Sequence, residues 1–181
     1  MPYPVRLSAG KVVLREFAPS DVDDVLAIIG DDRVTASLSF DSRSRDEAVA
    51  MVDGAVSRAK QEPRTEYYLA VAPQGDESRV VGFARIAFAG VQAGKLGYAI
   101  AAEHWGRGYA TAVSRALVSF GFAQLGLHRI SAAIGPENTA SVALVEKLGF
   151  VREGVLRDHV HTNGAWRDSI LYSVLVDEWR P

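Results

Sequence analysis

The chain contains no cysteine. A disulfide framework, a thiolate metal site and a cysteine nucleophile are therefore excluded. Neither charge is in large excess: 20 lysines and arginines stand against 22 aspartates and glutamates, a formal net charge of −2. Proteins that coat nucleic acids carry a strong basic surplus, so this balance argues against such a partner and leaves room only for a local basic patch suited to one small anion. No stretch approaches the roughly 20 apolar residues of a membrane span. The stretch from Met1 to Lys11 has neither a long apolar run nor a signal-peptide pattern, and a cytoplasmic protein without a membrane partner is expected. Repeats, low-complexity tracts and linkers are lacking too. What is present is 181 residues, 48% apolar and 23% charged. That is enough chain for one soluble domain with a full core, spanning residues 1–181, and too little for two ordinary domains.

The run V-V-L-R-E-F from Val12 to Phe17 reads as a strand. Pro19, Ser20 and Asp21 start a helix, with Ser20 as N-cap and Val22, Val25, Leu26 and Ile29 at helical spacing before Gly30. Residues 31–44 are polar and irregular, and Arg45 to Gln61 is a second helix with Ala48, Met51, Val52, Ala55 and Val56 on one face. Strands follow at Tyr67 to Ala72, Arg79 to Phe88 and Lys95 to Ala101, the first two joined by a Pro/Gly/Asp turn. A glycine loop leads into a helix from Ala110 to Leu125, then a strand from His128 to Ile134 and a helix from Ala140 to Leu148 closed by Gly149. Asn163-Gly164 lies between two strand-like runs, 150–162 and 165–176, and specifies a hairpin with a type I′ turn. This order implies an α/β (α+β) domain with one mixed sheet and helices on both faces.

The segment most open to chemical reading is L-G-Y-A-I-A-A-E-H-W-G-R-G-Y-A-T, from Leu96 to Thr111. Gly106 and Gly108 let the backbone approach a ligand closely. The first amides of the next helix lack intrahelical acceptors, and the helix dipole favours an anion there, so a pyrophosphate is a natural guest. Arg107 and Arg115 add charge nearby. Two glycines before a helix also serve as a plain tight connection. A nucleotide P-loop needs G-x-x-x-x-G-K-[ST], and a dinucleotide fingerprint needs a third glycine after Gly106 and Gly108; neither is present.

With Trp105-Gly106-Arg107-Gly108-Tyr109-Ala110 the chain resembles the GNAT superfamily, whose signature Q/R-x-x-G-x-G/A opens a helix after a strand. Trp105 in the first position departs from that signature and is similar to the W-G-x-G-Y-A of the RimJ/RimL branch, the ribosomal-protein N-terminal acetyltransferases. Further stretches that look like the family are L-R-E-F-A-P-S-D (14–21), L-G-L-H-R-I (125–130), E-N-T-A-S-V-A-L-V-E-K-L-G-F (137–150) and N-G-A-W-R-D-S-I-L-Y-S-V-L (163–175). Together they cover nearly the whole chain. The resemblance implies a mostly antiparallel sheet, splayed between its fourth and fifth strands, with acetyl-CoA as cosubstrate and no metal. The acetyl group passes directly to an amine, either a protein N-terminus or a small molecule.

By the same resemblance, backbone groups of Tyr98, Ala99 and Ile100 pair with pantetheine. Trp105, Gly106, Arg107, Gly108, Tyr109, Ala110 and Thr111 hold the phosphates, and Asn138 contacts the cofactor. Asn138 reads equally as a helix cap, and both roles are compatible. Many family members place a tyrosine seven residues after that asparagine as the acid for the leaving thiolate; Val145 stands there, and Ser141 is the candidate in its place. A family glutamate five residues before the asparagine is replaced by Ala133. Among Glu103, His104, His159 and His161, the candidate catalytic residues are Glu103 and His159. A two-residue turn sets His161 opposite Trp166 and His159 opposite Asp168. That pairing either raises the imidazole pKa for use as a base or anchor, or only stabilises the hairpin. Phe40, Tyr67, Tyr68, Trp105 and Trp166 are candidate walls of the acceptor cleft. Two rival functions stand beside the transferase. One is a catalytically weak acyl-CoA sensor. The other is an aminoglycoside-modifying enzyme with an acidic cleft supplied by Asp31, Asp32, Asp41, Asp46 and Glu47. A homodimer is left open.

Overall fold

The computed structural model describes residues 3–181. Eight strands form one sheet in the order β1-β2-β3-β4-β5-β6-β8-β7. They are β1 (Arg6–Ala9), β2 (Val12–Arg15), β3 (Glu66–Pro73), β4 (Gly82–Phe88), β5 (Ala93–Ile100), β6 (Arg129–Ile134), β7 (Val151–Thr162) and β8 (Ala165–Leu175). The helices are α1 (Val22–Ile29), α2 (Asp32–Thr35), α3 (Arg45–Ala59), α4 (Tyr109–Ala123) and α5 (Thr139–Lys147). Neighbouring strands are antiparallel except β5 and β6, which run parallel because α4 crosses over between them.

Strand alternation divides the core into two layers. On one face Leu14, Leu69, Ile86, Leu96 and Ile130 pack against α4 and α5 through Val113, Leu117 and Leu144. On the other, Ala70, Phe83 and Ala99 pack against α1 and α3 through Val25, Ile28, Ala48, Val52 and Ala55. Each fully buried aliphatic side chain contributes about 1.5–3 kcal/mol, so both helical layers are held by burial rather than propensity.

The structure adds elements to the sequence reading. Arg6–Ala9 is an edge strand paired with β2, within a stretch read as featureless. Asp32–Thr35 forms a short helix in the segment read as irregular, capped by the Asp31 carboxylate on the Arg33 amide. Ser20 does not cap α1: it lies inside a 3-10 turn (Pro19–Asp21), and the Asp21 carboxylate accepts from the Ala18 amide at 2.8 Å and binds Arg15. The strand read as starting at Arg79 begins at Gly82.

The β5–β6 pairing ends after three pairs, the last being Lys95↔Ser131. Beyond it the strands diverge. β5 is the fourth strand of the sequence reading, which did not count β1, so the divergence falls at the expected splay. Asn163 (φ 51°) and Gly164 (φ 71°) both turn through positive φ, as a type I′ hairpin requires.

Candidate active site

The divergence of β5 and β6 opens a cleft of about 1140 Å3 that runs through the sheet, from the α4/α5 face to the α1/α3 face. Backbone direction along β5 is fixed by its pairing. Ala93 and Ala101 bond to the β4 side, through Ala89 N–H to Ala93 O and Ala101 N–H to Val81 O. The alternate residues Gly94 and Ile100 bond away from it, accepting from Ser131 Oγ at 3.3 Å and Trp105 Nε1 at 2.7 Å. Backbone N–H and C=O of one residue point to the same side of an antiparallel strand. Tyr98 and Ile100 therefore turn their backbones to the gap, while Ala99 turns its own toward β4 and does not meet the expectation placed on it.

At the α4/α5 mouth lies the glycine loop. Gly106 (φ 73°) and Gly108 (φ 77°) are both left-handed. A side-chain-bearing residue would lose about 1–2 kcal/mol at each. Gly108 is the N-cap of α4 and has no side chain to cap it, so the amides of Tyr109, Ala110 and Thr111 are left facing the cleft they line. Trp105 donates its indole N–H to Ile100 O and braces the loop against the end of β5. His104 stacks on Tyr109, and its buried Nδ1 has no partner among the described residues. Opposite, Asn138 caps α5: its Oδ1 accepts from the Ser141 amide at 3.1 Å.

Tyr98 lines the cleft from the α4/α5 face of β5. Its hydroxyl is shut off from solvent and makes no aligned hydrogen bond among the described residues. Burial pushes its pKa up, and the nearby Ser141 hydroxyl opposes the rise. An unsatisfied buried hydroxyl costs about 1–3 kcal/mol, so this one suits a site where a ligand supplies the acceptor. Sequence reasoning used only the Tyr98 backbone. The side chain was missed because its depth depends on the splay. These features fit acetyl-CoA: turned-out amides for phosphate, a gap between β5 and β6 edged by backbone donors and acceptors, and a buried hydroxyl in its wall.

The α1/α3 mouth is built from side chains. Tyr68, Arg85 and Gly97 lie in one row across β3, β4 and β5. Arg43 stacks over the Phe40 ring, 4.3 Å from its centroid. The Tyr68 hydroxyl touches Met51 Sδ at 3.7 Å, and burial pushes its pKa up. His159 lines the cleft with Nδ1 3.0 Å from Ser169 Oγ. The expected His159–Asp168 pair is not formed. The ladder jumps from Leu156↔Ser169 to Val160↔Arg167, so residues 157–159 bulge out with Asp158 at φ 45°. Asp168 instead accepts from the Asp158 amide at 2.9 Å. His161 and Trp166 pair edge-to-face at the hairpin tip, as the turn register implied.

Several candidates fall outside the cleft. Glu103 is exposed in a 3-10 turn (Ala102–His104), its carbonyl taken by Arg107, and neither side chain lines the cavity. Arg115 reaches the Arg180 carbonyl. Tyr67 is buried against Phe120 on the other face, and Trp166 stands 63% exposed at the hairpin tip. Among the described residues no group of three His, Asp or Glu side chains could hold a metal, and no helix is long and apolar enough to cross a membrane.

Comparison with known proteins agrees with this geometry. The model of the Acetyltransferase (GNAT) domain matches residues 11–151. The chain is 30% identical over 174 residues to the uncharacterized N-acetyltransferase YoaA of Bacillus subtilis, covering 96% of this chain and 97% of that protein. It is 30% identical over 109 residues to the ribosomal protein uS5-alanine N-acetyltransferase of Escherichia coli, covering 59% of this chain and 56% of that one. Mycobacterium smegmatis RimJ, solved in complex with CoA-disulfide, superposes with a TM-score of 0.81 at 26% identity, over 97% of this chain and 87% of that chain. With its splayed sheet, its glycine loop and these relatives, the chain belongs to the GNAT family of N-acetyltransferases.

Proposed function

We propose that the cleft binds acetyl-CoA from the α4/α5 mouth and a primary amine from the α1/α3 mouth, and that the acetyl group passes directly between them. The observation that carries this reading is the continuity of the cleft: an anion cradle at one end, a histidine at the other, and the buried Tyr98 hydroxyl beside Ser141 along its wall. The amides of Tyr109, Ala110 and Thr111, with Gly106 and Gly108, hold the phosphates. Backbone groups of Tyr98 and Ile100 receive pantetheine as a strand would. Asn138 fixes the start of α5 and with it Ser141.

His159 is the base. In the tautomer that donates Nδ1–H to Ser169 Oγ, Nε2 holds the free lone pair and takes a proton from the acceptor's ammonium, leaving the neutral amine that attacks. The new C–N bond forms as the C–S bond breaks. Ser141, backed by Tyr98, delivers a proton to the departing sulfur and is reprotonated by the proton that the nitrogen sheds as the amide forms. Tyr98, its pKa raised, stays protonated through the neutral range.

The acceptor is a protein N-terminal α-amine or a small amine in the cytoplasm. The Escherichia coli relative acts on the alanine of ribosomal protein uS5, which makes N-terminal peptides the first acceptors to try. The aminoglycoside reading loses its acidic cleft. Asp31 is bound by Arg33, Asp32 by Ser42 and Asp41 by the Asn163 amide; of the five acids only Glu47 lines the cavity. Titration of acetyl-CoA into the protein, followed by thiol release with a panel of amines, tests the proposal. Saturable binding with turnover is expected. Binding without turnover on any amine would favour the sensor reading.

A further inference from the structure

The α1/α3 mouth carries an excess of fixed positive charge. Arg43, Arg58, Arg85 and Lys95 line the cleft; Glu47 is the one carboxylate beside them, and Glu66 lies just behind. Glu66 is shared, with Oε2 2.8 Å from Arg58 Nε and Oε1 3.1 Å from Arg85 Nε. One carboxylate between two guanidinium groups leaves a net positive charge. The contact to Arg58 is too poorly aligned for a hydrogen bond, so the buried Arg58 Nε–H has no acceptor. Glu47 is occupied as the capping partner of Ser44, accepting from its amide at 2.9 Å and its hydroxyl at 3.0 Å. Arg43 has no ion-pair contact among the described residues; its guanidinium carbon stands over the Phe40 ring, and its charge bears on Glu47. The charges converge: the buried Tyr68 phenol responds to Arg85, Arg43 and Arg58 and to a single anion, Glu66.

These cations are poorly placed to serve the CoA phosphates. Arg85 lies beside Gly97, three residues before Ile100, which is roughly 10 Å of strand from the glycine loop, and Lys95 is farther. Both lie on the opposite face of the sheet from α4. A polycationic amine would be repelled from this mouth. An amine whose own molecule also bears a carboxylate would be drawn in and oriented, its charge paired by guanidinium groups and its amine directed to His159.

We propose that the acceptor is a primary amine bearing a carboxylate close by, with Arg43, Arg58 and Arg85 as the specificity-determining residues. This rests on the transferase reading above. Free acidic amino acids and peptides with acidic residues at their N-terminus share that chemistry.

The experiment compares acetylation of glutamate and of an N-terminal Glu-containing tetrapeptide with the same molecules in which every carboxylate is amidated, and with spermidine. The carboxylate-bearing acceptors are expected to show kcat/KM about tenfold or more above their amides, the scale of one ion pair. In Arg43→Gln that ratio should collapse, chiefly through KM, while Arg43→Lys keeps most of it and CoA affinity stays the same in both. The free amino acid and the peptide separate the two sources. A preference for amides or spermidine, or a ratio unmoved by Arg43→Gln and Arg85→Gln alike, overturns the proposal while leaving the transferase standing. If no amine turns over, calorimetric titration of glutamate against its diamide into the CoA-saturated protein still decides it. Selective glutamate binding lost in Arg43→Gln supports the anion site, and equal or absent binding of the two overturns it.

Discussion

The two mouths of the cleft are made of different material. The α4/α5 mouth is mostly backbone: left-handed glycines, uncapped amides at the start of α4 and the outward edge of β5. The α1/α3 mouth is mostly side chains from four separate regions: Phe40 and Arg43 before α3, Arg58 within it, Tyr68 and Arg85 on the sheet, and His159 on the β7 bulge. A backbone site recognises what does not vary, a phosphate or an amide. A side-chain site can be rewritten residue by residue without disturbing the fold. One chain can thus keep its donor fixed while its acceptor changes.

Gly108 is where the backbone mouth is most sensitive. We expect Gly108→Glu to weaken CoA binding on the order of 100-fold, because it sets a carboxylate against phosphate where the helix dipole favours anions. A Cβ at Gly108 meets no atom within 4 Å, so the cost of Gly108→Ala is limited to its φ of 77°. Calorimetry should show a large loss for glutamate and a small one for alanine. Equal losses would mean that loop shape, not charge, governs the site.

The Tyr98 and Ser141 hydroxyls neighbour one another on the wall of the cleft. Ser141→Ala and Tyr98→Phe should each lower kcat about 10- to 100-fold, the lower part of the range for general acids, since a thiolate leaves readily. The double variant should be little worse than either single one, because groups acting as a unit are not additive. Steady-state thiol release at saturating acetyl-CoA measures this. Full additivity would separate the two roles.

The same division explains what was legible in the sequence. Glycine spacing before a helix, the Asn163-Gly164 turn and alternation in the strands report local geometry, so the loop, the hairpin and the order of elements could be read directly. The His159–Asp168 pair failed because the three-residue bulge at 157–159 leaves no mark in the turn from which the register was counted. Arg43, Arg58 and Arg85 carry no signal in the sequence, since nothing local reveals that the fold brings them together around Tyr68 across 42 residues of chain. The edge strand Arg6–Ala9 is short and only partly apolar, and it is specified by its partner β2 more than by its own residues.

The smallest expected effect concerns the wall of the acceptor mouth. Burial holds the Tyr68 phenol protonated well above its ordinary 10.0, with Arg85 opposing most strongly, then Arg43 and Arg58. In the unfolded chain the phenol ionises first, so above pH 10 the native state binds the extra proton and stability falls as pH rises. The contribution is fully present below pH 10 and declines by about 1.4 kcal/mol per pH unit above it. Denaturant unfolding between pH 9 and pH 11 should therefore fall less steeply for Tyr68→Phe than for the wild type, with near-equal stability at neutral pH. Arg43→Gln removes one of the opposing cations, which holds the phenol proton still more firmly and leaves the alkaline slope at least as steep. A wild-type curve that stays flat above pH 10 would mean that water reaches the Tyr68 hydroxyl, and that the side-chain mouth is more open than the rings of Phe17 and Phe83 around it suggest.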